Sequence, residues 1–177
     1  AFARKGWEVR RFNRETDDMI EAAHGCDVIV NGLNPPNYHD WAELIPRITR
    51  QVIAAARASG ATVILPGNVY IFGDTPGDWS ERTTPNPCSR KGRIRLDMER
   101  TYADSGVQTI NLRAGNLVDP DHNGDIVSLM LLTRIRRGRV VSPGDPNAIQ
   151  PWGFMPDWAR AAVALAEKRS ELATYED

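Results

Sequence analysis

Cysteine, histidine and long apolar runs are all scarce in this chain, and each scarcity removes a class of function. It has two cysteines, Cys26 and Cys88, and three histidines, His24, His39 and His122, among 177 residues. The cysteines stand far apart with no Cys-x-x-Cys pairing, so neither a disulfide framework nor a zinc site is indicated; reduced thiols in a cytoplasmic setting are expected. The histidines lack the i, i+4 spacing of a helical metal site, so no metal is expected. His122, beside Asp121 and Asp125, reads as a loop residue rather than a base. Apolar runs stay well short of the roughly 18 residues of a membrane span. The net charge of −1 creates no global field, so neither nucleic acid nor an anionic membrane surface is expected as a partner. Gly-x-Ser-x-Gly and phosphate-loop motifs are missing, which leaves hydrolase and nucleotide-triphosphatase chemistry without support.

What is present is a globular composition, 41% hydrophobic, with a regular alternation of segment types. Trp7–Phe12 reads as a strand, Thr16–His24 as a short helix with acids in its first turn, and Asp27–Gly32 as a buried parallel strand. Asp40–Ser59 reads as a long amphipathic helix: Trp41, Leu44, Ile45, Ile48, Val52 and Ala55 recur at helical spacing, Asp40 can cap its start and Gly60 ends it. Pro46 is a blemish inside it. Ala61–Leu65 is the next strand, Ser89 caps a helix over Arg90–Ser105, and Val107–Leu112 is a strand. Asp125–Arg137 and Asp157–Lys168 read as helices, the second capped by Asp157. This order predicts an α/β fold, a Rossmann-like doubly wound parallel sheet. Residues 1–138 form its main domain; residues 139–177, opening with the Gly/Pro-rich Arg139–Phe154, begin a small substrate-side subdomain.

Three stretches carry a resemblance. Val63–Asp74 (VILPGNVYIFGD) is a strand end followed by a Val-Tyr-Gly-like triplet, Ile71-Phe72-Gly73. Asn86–Glu99 (NPCSRKGRIRLDME) places Lys91-Gly92-Arg93-Ile94-Arg95 where a Tyr-Gly-x-x-Lys helix start would stand. Leu112–Pro120 (LRAGNLVDP) parallels Leu-Arg-x-x-Asn-x-x-Gly-Pro, with Asp119 in place of the glycine. Together they resemble the extended short-chain dehydrogenase/reductase family, the NAD-dependent epimerase/dehydratase group. Pro143-Gly144-Asp145 and Gln150–Ala159 resemble that family's Gly-Asp segment and its Val-x-Asp-Val-Ala signature, read here as architecture. Two family features are missing: the Tyr-x-x-x-Lys pair and the N-terminal glycine-rich βα unit. Residues 1–14 resemble the tail of a first helix running into the second strand, so on the order of 30 residues, one βα unit, are expected to precede them in a longer protein.

The resemblance implies the following roles. Asn13 and Arg14 follow the second strand, where an acid would take ribose hydroxyls and an arginine a 2′-phosphate; Arg11 and Arg14 weakly favour NADP(H) over NAD(H). The alternative is an ordinary solvated arginine pair. Asp27 corresponds to an acid beside the adenine, and Gly32, Leu33 and Asn34 to a segment lying under the cofactor, although Asn-Gly-Leu-Asn-Pro-Pro is also a good turn. At the reaction centre Asn68 stands for Ser/Thr and can orient a substrate oxygen, Lys91 stands for Tyr, and Arg95 stands for Lys and can hold the nicotinamide ribose. Tyr70, two residues beyond Asn68, is the nearby phenol able to act as acid or base. The alternative is a solvated basic helix start with Tyr70 in the core. Asn116 is expected to line cofactor and substrate, with Arg113 bracing the loop.

The resemblance implies that the chain is part of an NAD(P)-dependent epimerase, dehydratase or reductase acting on a nucleotide-sugar or related carbonyl or hydroxyl compound. The other reading is a cofactor-binding sensor without turnover, and a third is a scaffold that binds no dinucleotide. A homodimer through helices 41–59 and 90–105 is expected, with some apolar surface exposed on them.

Overall fold

The computed structural model describes residues 1–35, 39–121, 125–142 and 144–177. The alternation of the sequence produces a four-stranded, all-parallel sheet in the order β1 (Val28–Val30), β2 (Thr62–Gly67), β3 (Thr109–Arg113), β6 (Tyr175–Glu176). Helices α2 (Trp41–Ser59) and α3 (Arg90–Ala103) pack on one face and α4 (Met155–Glu167) on the other. Successive strand residues serve opposite faces. Val63 and Leu65 enter the α2/α3 core with Ile45, Val52, Met98 and Tyr102, whereas Ile64 and Ile110 meet Ala162 and Ala166 of α4. Burial on both faces explains why β2 reads as a continuous apolar run. The sheet is doubly wound and Rossmann-like.

A second sheet of two strands, β4 (Asn116–Val118) and β5 (Trp152–Phe154), extends from the end of β3. The Gly/Pro-rich segment before β5 is largely exposed, with Val140, Val141 and Ile149 among its exposed apolar side chains. Pro143 and His122, both named in the sequence reading, lie outside the described residues, as does Pro36 of the post-β1 turn.

Several expected elements differ. Trp7–Phe12 is no strand: a cavity of ≈ 520 Å³, lined among others by Trp7, Val9, Phe12, Val28, Val30 and Leu33, separates it from β1, so no ladder forms between them. The first helix shrinks to α1 (Met19–Ala23), because the Asp18 carboxylate accepts the Ile20 and Glu21 N–H groups and so starts the helix there. The helix expected over Asp125–Arg137 is a π turn (Val127–Leu131) and a 3-10 turn (Ile135–Arg137); neither holds a buried residue, so no packed face supports a longer helix. In α4 the start falls at Met155, with Pro156 in the first turn. Asp157 is therefore no cap; it pairs instead with Arg160. Asp40 precedes α2 in a left-handed conformation (φ 51°) and makes no side-chain cap bond. Pro46 is accommodated in the second turn of an unbroken α2.

Candidate cofactor and active site

Parallel strands bring their carboxyl ends to one edge, and in open α/β sheets ligands sit outside that edge. Here the edge collects the ends of β1 (Asn31–Asn34), β2 (Gly67–Tyr70) and β3 (Arg113–Asn116), with the N-termini of α2 and α3 beside them.

The β1 end is held from within. Buried Asn31 donates through Nδ2 to the Tyr102 hydroxyl at 3.1 Å and accepts the Leu33 N–H at 3.2 Å. Gly32 faces open space: a Cβ built there meets no atom within 4 Å. Arg14 reaches across to donate to the Asn34 carbonyl at 3.0 Å. The Asn34 Oδ1 is buried without a hydrogen-bond partner among the described residues. Asn13 is used locally, its N–H donating to Asp17 and its Oδ1 accepting from Glu15 N–H. An uncrowded glycine beside an orphaned buried acceptor fits the hydroxyls or base of a nucleotide cofactor.

Asp27 belongs elsewhere. It precedes β1 at the amino end of the sheet, where its carboxylate pairs with Arg169 at 3.2 Å. The strand therefore separates it from the Gly32–Asn34 end, and the adenine contact implied for it is not supported.

At the β2 end the chain leaves the extended conformation. Asn68 Oδ1 accepts the Tyr70 N–H at 3.0 Å and bends the segment into the 3-10 turn Tyr70–Phe72. Ile71 and Phe72 are buried while Tyr70 is 44% exposed. The phenol thus faces outward instead of packing in the core, and the Asn68 amide keeps its N–H donors. The start of α3 abuts this turn. Ser89 Oγ caps it by accepting the Gly92 N–H at 3.0 Å, and a Cβ on Gly92 would come within 2.5 Å of the Tyr70 carbonyl oxygen. Glycine at position 92 is what lets α3 come this close.

Lys91 and Arg95, one turn apart on α3, both lie over the ring of Trp41, the buried first residue of α2. The Lys91 Nζ is 4.8 Å and the Arg95 Cζ 5.0 Å from the ring centroid. The sequence assigns Trp41 only to the packing face of α2.

Arg113 is the hub of a second group. It forms a bidentate pair with Glu99 (3.0 and 3.1 Å), an ion pair with Asp177, and a 2.6 Å bond to the Asn68 carbonyl. Burial raises the Glu99 pKa, with Arg113 pulling the other way. Burial alone would lower Arg113, but its bonds to Glu99 and Asp177 raise it overall. Asn111 joins by donating to the Tyr175 hydroxyl and to Asp177, both at 3.2 Å. The loop-bracing role implied for Arg113 thus has a concrete form. Glu99, Asp177 and Asn111 were not identified from sequence; Glu99 carried one signal, an acid on the helix face that points into the core. Asn116 opens β4, its N–H donating to the Pro151 carbonyl at 2.8 Å, so it stands where the two sheets meet.

No group of three or more His, Cys, Asp or Glu able to hold a metal occurs among the described residues. Among them, too, no helix is long and apolar enough to cross a membrane.

A doubly wound sheet with polar side chains gathered at its carboxyl edge is the architecture of the Rossmann class. More particularly, the chain belongs to the NAD dependent epimerase/dehydratase family, whose model matches residues 11–177. Comparison with curated proteins gives no match. Among solved structures, the chain resembles a UDP-glucuronic acid 4-epimerase mutant from Bacillus cereus in complex with UDP-4-deoxy-4-fluoro-glucuronic acid and NAD: TM-score 0.73 at 17% identity over 89% of this chain and 55% of that one. MoeE5 in complex with UDP-glucose and NAD is similar with TM-score 0.73, 19% identity, and coverage of 90% and 58%. The dTDP-glucose 4,6-dehydratase DesIV double mutant from Streptomyces venezuelae, with NAD bound, gives TM-score 0.71, 16% identity, and coverage of 89% and 53%. At these identities the likeness is one of fold, and the chain spans little more than half the length of each neighbour.

Proposed function

We propose that this chain forms the cofactor-binding part of an NAD(P)-dependent epimerase, dehydratase or reductase acting on a nucleotide-sugar or related compound. The observation that carries the reading is the convergence at one sheet edge of Asn68, outward-facing Tyr70 and the Lys91/Arg95 pair, in a chain of this family. The neighbours named above hold NAD and nucleotide-sugars, which supports both ligand classes for this fold.

Bound at that edge, a nicotinamide cofactor supplies hydride transfer. The chain's residues do the rest. Gly32, Leu33 and Asn34 give the cofactor a backbone it can approach closely, and Arg95 takes ribose hydroxyls. The Asn68 Nδ2 donates to the substrate oxygen, fixing it beside the Tyr70 hydroxyl. Tyr70 takes or gives the proton at that oxygen, and the Lys91 ammonium stabilises the negative charge that develops there. Arg113 keeps Asn68 in place, and Asn116 lines the substrate side.

Homodimerisation through α2 and α3 is part of the proposal, with a changed chemistry. No large hydrophobic side chain among the described residues of either helix is exposed; their outer faces carry Arg50, Arg57, Arg93, Asp97 and Arg100. The interface is therefore charged. The free thiols of Cys26 and Cys88 support a cytoplasmic setting.

The test is turnover of nucleotide-sugars by the full-length gene product and by Tyr70→Phe and Lys91→Met variants. Loss in both variants with cofactor binding retained supports the assigned roles. Undiminished turnover in Tyr70→Phe removes Tyr70 from the mechanism. A sensor without turnover, the other reading of the sequence, is favoured by no observation in the fold.

A further inference from the structure

The proposed reaction leaves the indole of Trp41 without a task. The residue is 5% exposed, opens α2, and packs with Ile45, Val52 and Met98 in the core between the helices and the sheet. Any large apolar side chain would satisfy that burial. The backbone that delivers the ring is unusual. Asp40, just before it, is the one non-glycine residue with a positive φ (51°) among the described residues, a conformation aspartate tolerates but does not favour. The Asp40 side chain makes no cap bond, so capping does not explain the bend.

Lys91 Nζ and Arg95 Cζ stand 4.8 and 5.0 Å from the centroid of the Trp41 ring. The two residues are one turn apart on α3, and like charges at that spacing repel. Both side chains are also long and lose rotamer freedom when held in one place. The electron-rich ring face counters both tendencies, because a cation within about 6 Å of a tryptophan centroid is attracted to it. Arg95 has neighbours of its own as well: its Nη1 donates to Met98 Sδ at 3.7 Å, and it lies in the field of Glu99, whose carboxylate is bound by Arg113. The Trp41 ring is shared by both cations.

We infer that Trp41 is a positioning residue: its ring holds the Lys91 ammonium and the Arg95 guanidinium together at the carboxyl edge of the sheet. The inference rests on the roles proposed above for Lys91 and Arg95 and deepens them, since Trp41 acts only through those two side chains.

The experiment is a double-mutant cycle on the full-length gene product, titrated with NADH and with NADPH and followed by nicotinamide fluorescence. Trp41→Leu removes the ring and should weaken the bound cofactor about three- to fivefold, the scale of one cation–π contact. Trp41→Phe should keep part of that affinity, and it carries the same cycle if Trp41→Leu does not fold. In an Arg95→Met background the loss of the ring should weaken binding no further, because no guanidinium is left for it to hold. A second readout follows Lys91 without turnover: the carbon-13 methyl signals of reductively methylated lysines, with Lys91 assigned by its absence in Lys91→Arg. The ring current of Trp41 should displace the Lys91 signal upfield, and Trp41→Leu should return it to the position of an exposed lysine. Ile45→Ala, which opens the same core one turn along α2, should lower the denaturation midpoint and leave that signal in place. Equal weakening by Trp41→Leu in both backgrounds, or a Lys91 signal indifferent to the ring, overturns the inference and leaves the cofactor reading standing. Binding of neither cofactor by the unsubstituted protein overturns both.

Discussion

The Arg113 Nη1 donates to the Asn68 carbonyl at 2.6 Å and, together with Nη2, to the Glu99 carboxylate at 3.0 and 3.1 Å. One side chain thereby links the end of β2, where the reacting oxygen would be oriented, to helix α3, which carries Lys91. The site's geometry is tied to a buried ion pair.

That pair sets the first prediction. With side-chain exposures of 13% for Arg113 and 6% for Glu99, Glu99→Ala leaves a largely buried guanidinium short of a partner. A loss of about 3 kcal/mol in urea unfolding is expected, the scale for breaking one half of a buried pair. Glu99→Gln, which keeps a hydrogen-bond acceptor, should cost less. Equal stability of Glu99→Ala and the unsubstituted protein would show that Arg113 is satisfied by Asp177 alone.

Gly92 gives a sharper test of the contact between α3 and the Tyr70 turn. A methyl group there would sit 2.5 Å from the Tyr70 carbonyl oxygen and 2.9 Å from the Pro87 Cβ. Gly92→Ala should therefore cost about 1–3 kcal/mol, the usual overpacking range, despite the better helix propensity of alanine. Turnover should fall further than stability alone explains, because the displaced atoms carry Tyr70. A stabilised Gly92→Ala variant with full activity would mean that the two elements are not in contact.

Alkaline pH should unfold the protein through its buried phenols. Burial pushes Tyr102 and Tyr175 above their ordinary values, and the negative carboxylates of Glu99 and Asp177 add to the rise at Tyr175. A folded-state pKa above the unfolded one contributes stability that is complete below the unfolded value, about pH 10, and is lost as pH rises through the folded value. Denaturation midpoints should decline above about pH 10, and less steeply in Tyr102→Phe. A midpoint that stays flat to pH 12 would contradict the burial of these hydroxyls.

If α2 and α3 pair across a two-fold axis, their charged outer faces make the association sensitive to salt. The dimer population in sedimentation should change markedly between low salt and 1 M, where the screening length shrinks to about 3 Å. A dimer indifferent to salt would place the interface on another surface.

The doubly wound sheet was legible because burial on both faces leaves apolar runs at β1, β2 and β3 that periodicity detects, and because Ser89 and Gly60 bound their helices as their chemistry requires. Trp7–Phe12 has strand composition too, but a strand needs a ladder partner, and composition does not reveal that a cavity lies on its flank. Asp157 looked like a cap until Pro156 moved the helix start upstream. Asn68, Tyr70, Lys91 and Arg95, the residues proposed for the site, stand out in the sequence by motif register alone. The Trp41 ring beneath the two cations and the carboxylates around Arg113 come from α2, α3 and the β6 end, distant in sequence, and no local pattern joins them. The sequence already set Asp27 at the opening of β1, at the other end of the strand from Gly32–Asn34; its adenine role came from the resemblance alone, and the Arg169 that pairs with it is too distant in sequence for a local pattern to reveal.

The most direct test of the account is amide hydrogen exchange of the full-length gene product with and without NADPH or NADH. Protection is expected at the carboxyl edge, in Gly32–Asn34 and Gly67–Tyr70, with no change around Asp27 and Arg169. Unaltered exchange at that edge, or protection confined to the opposite end of the sheet, would contradict the site.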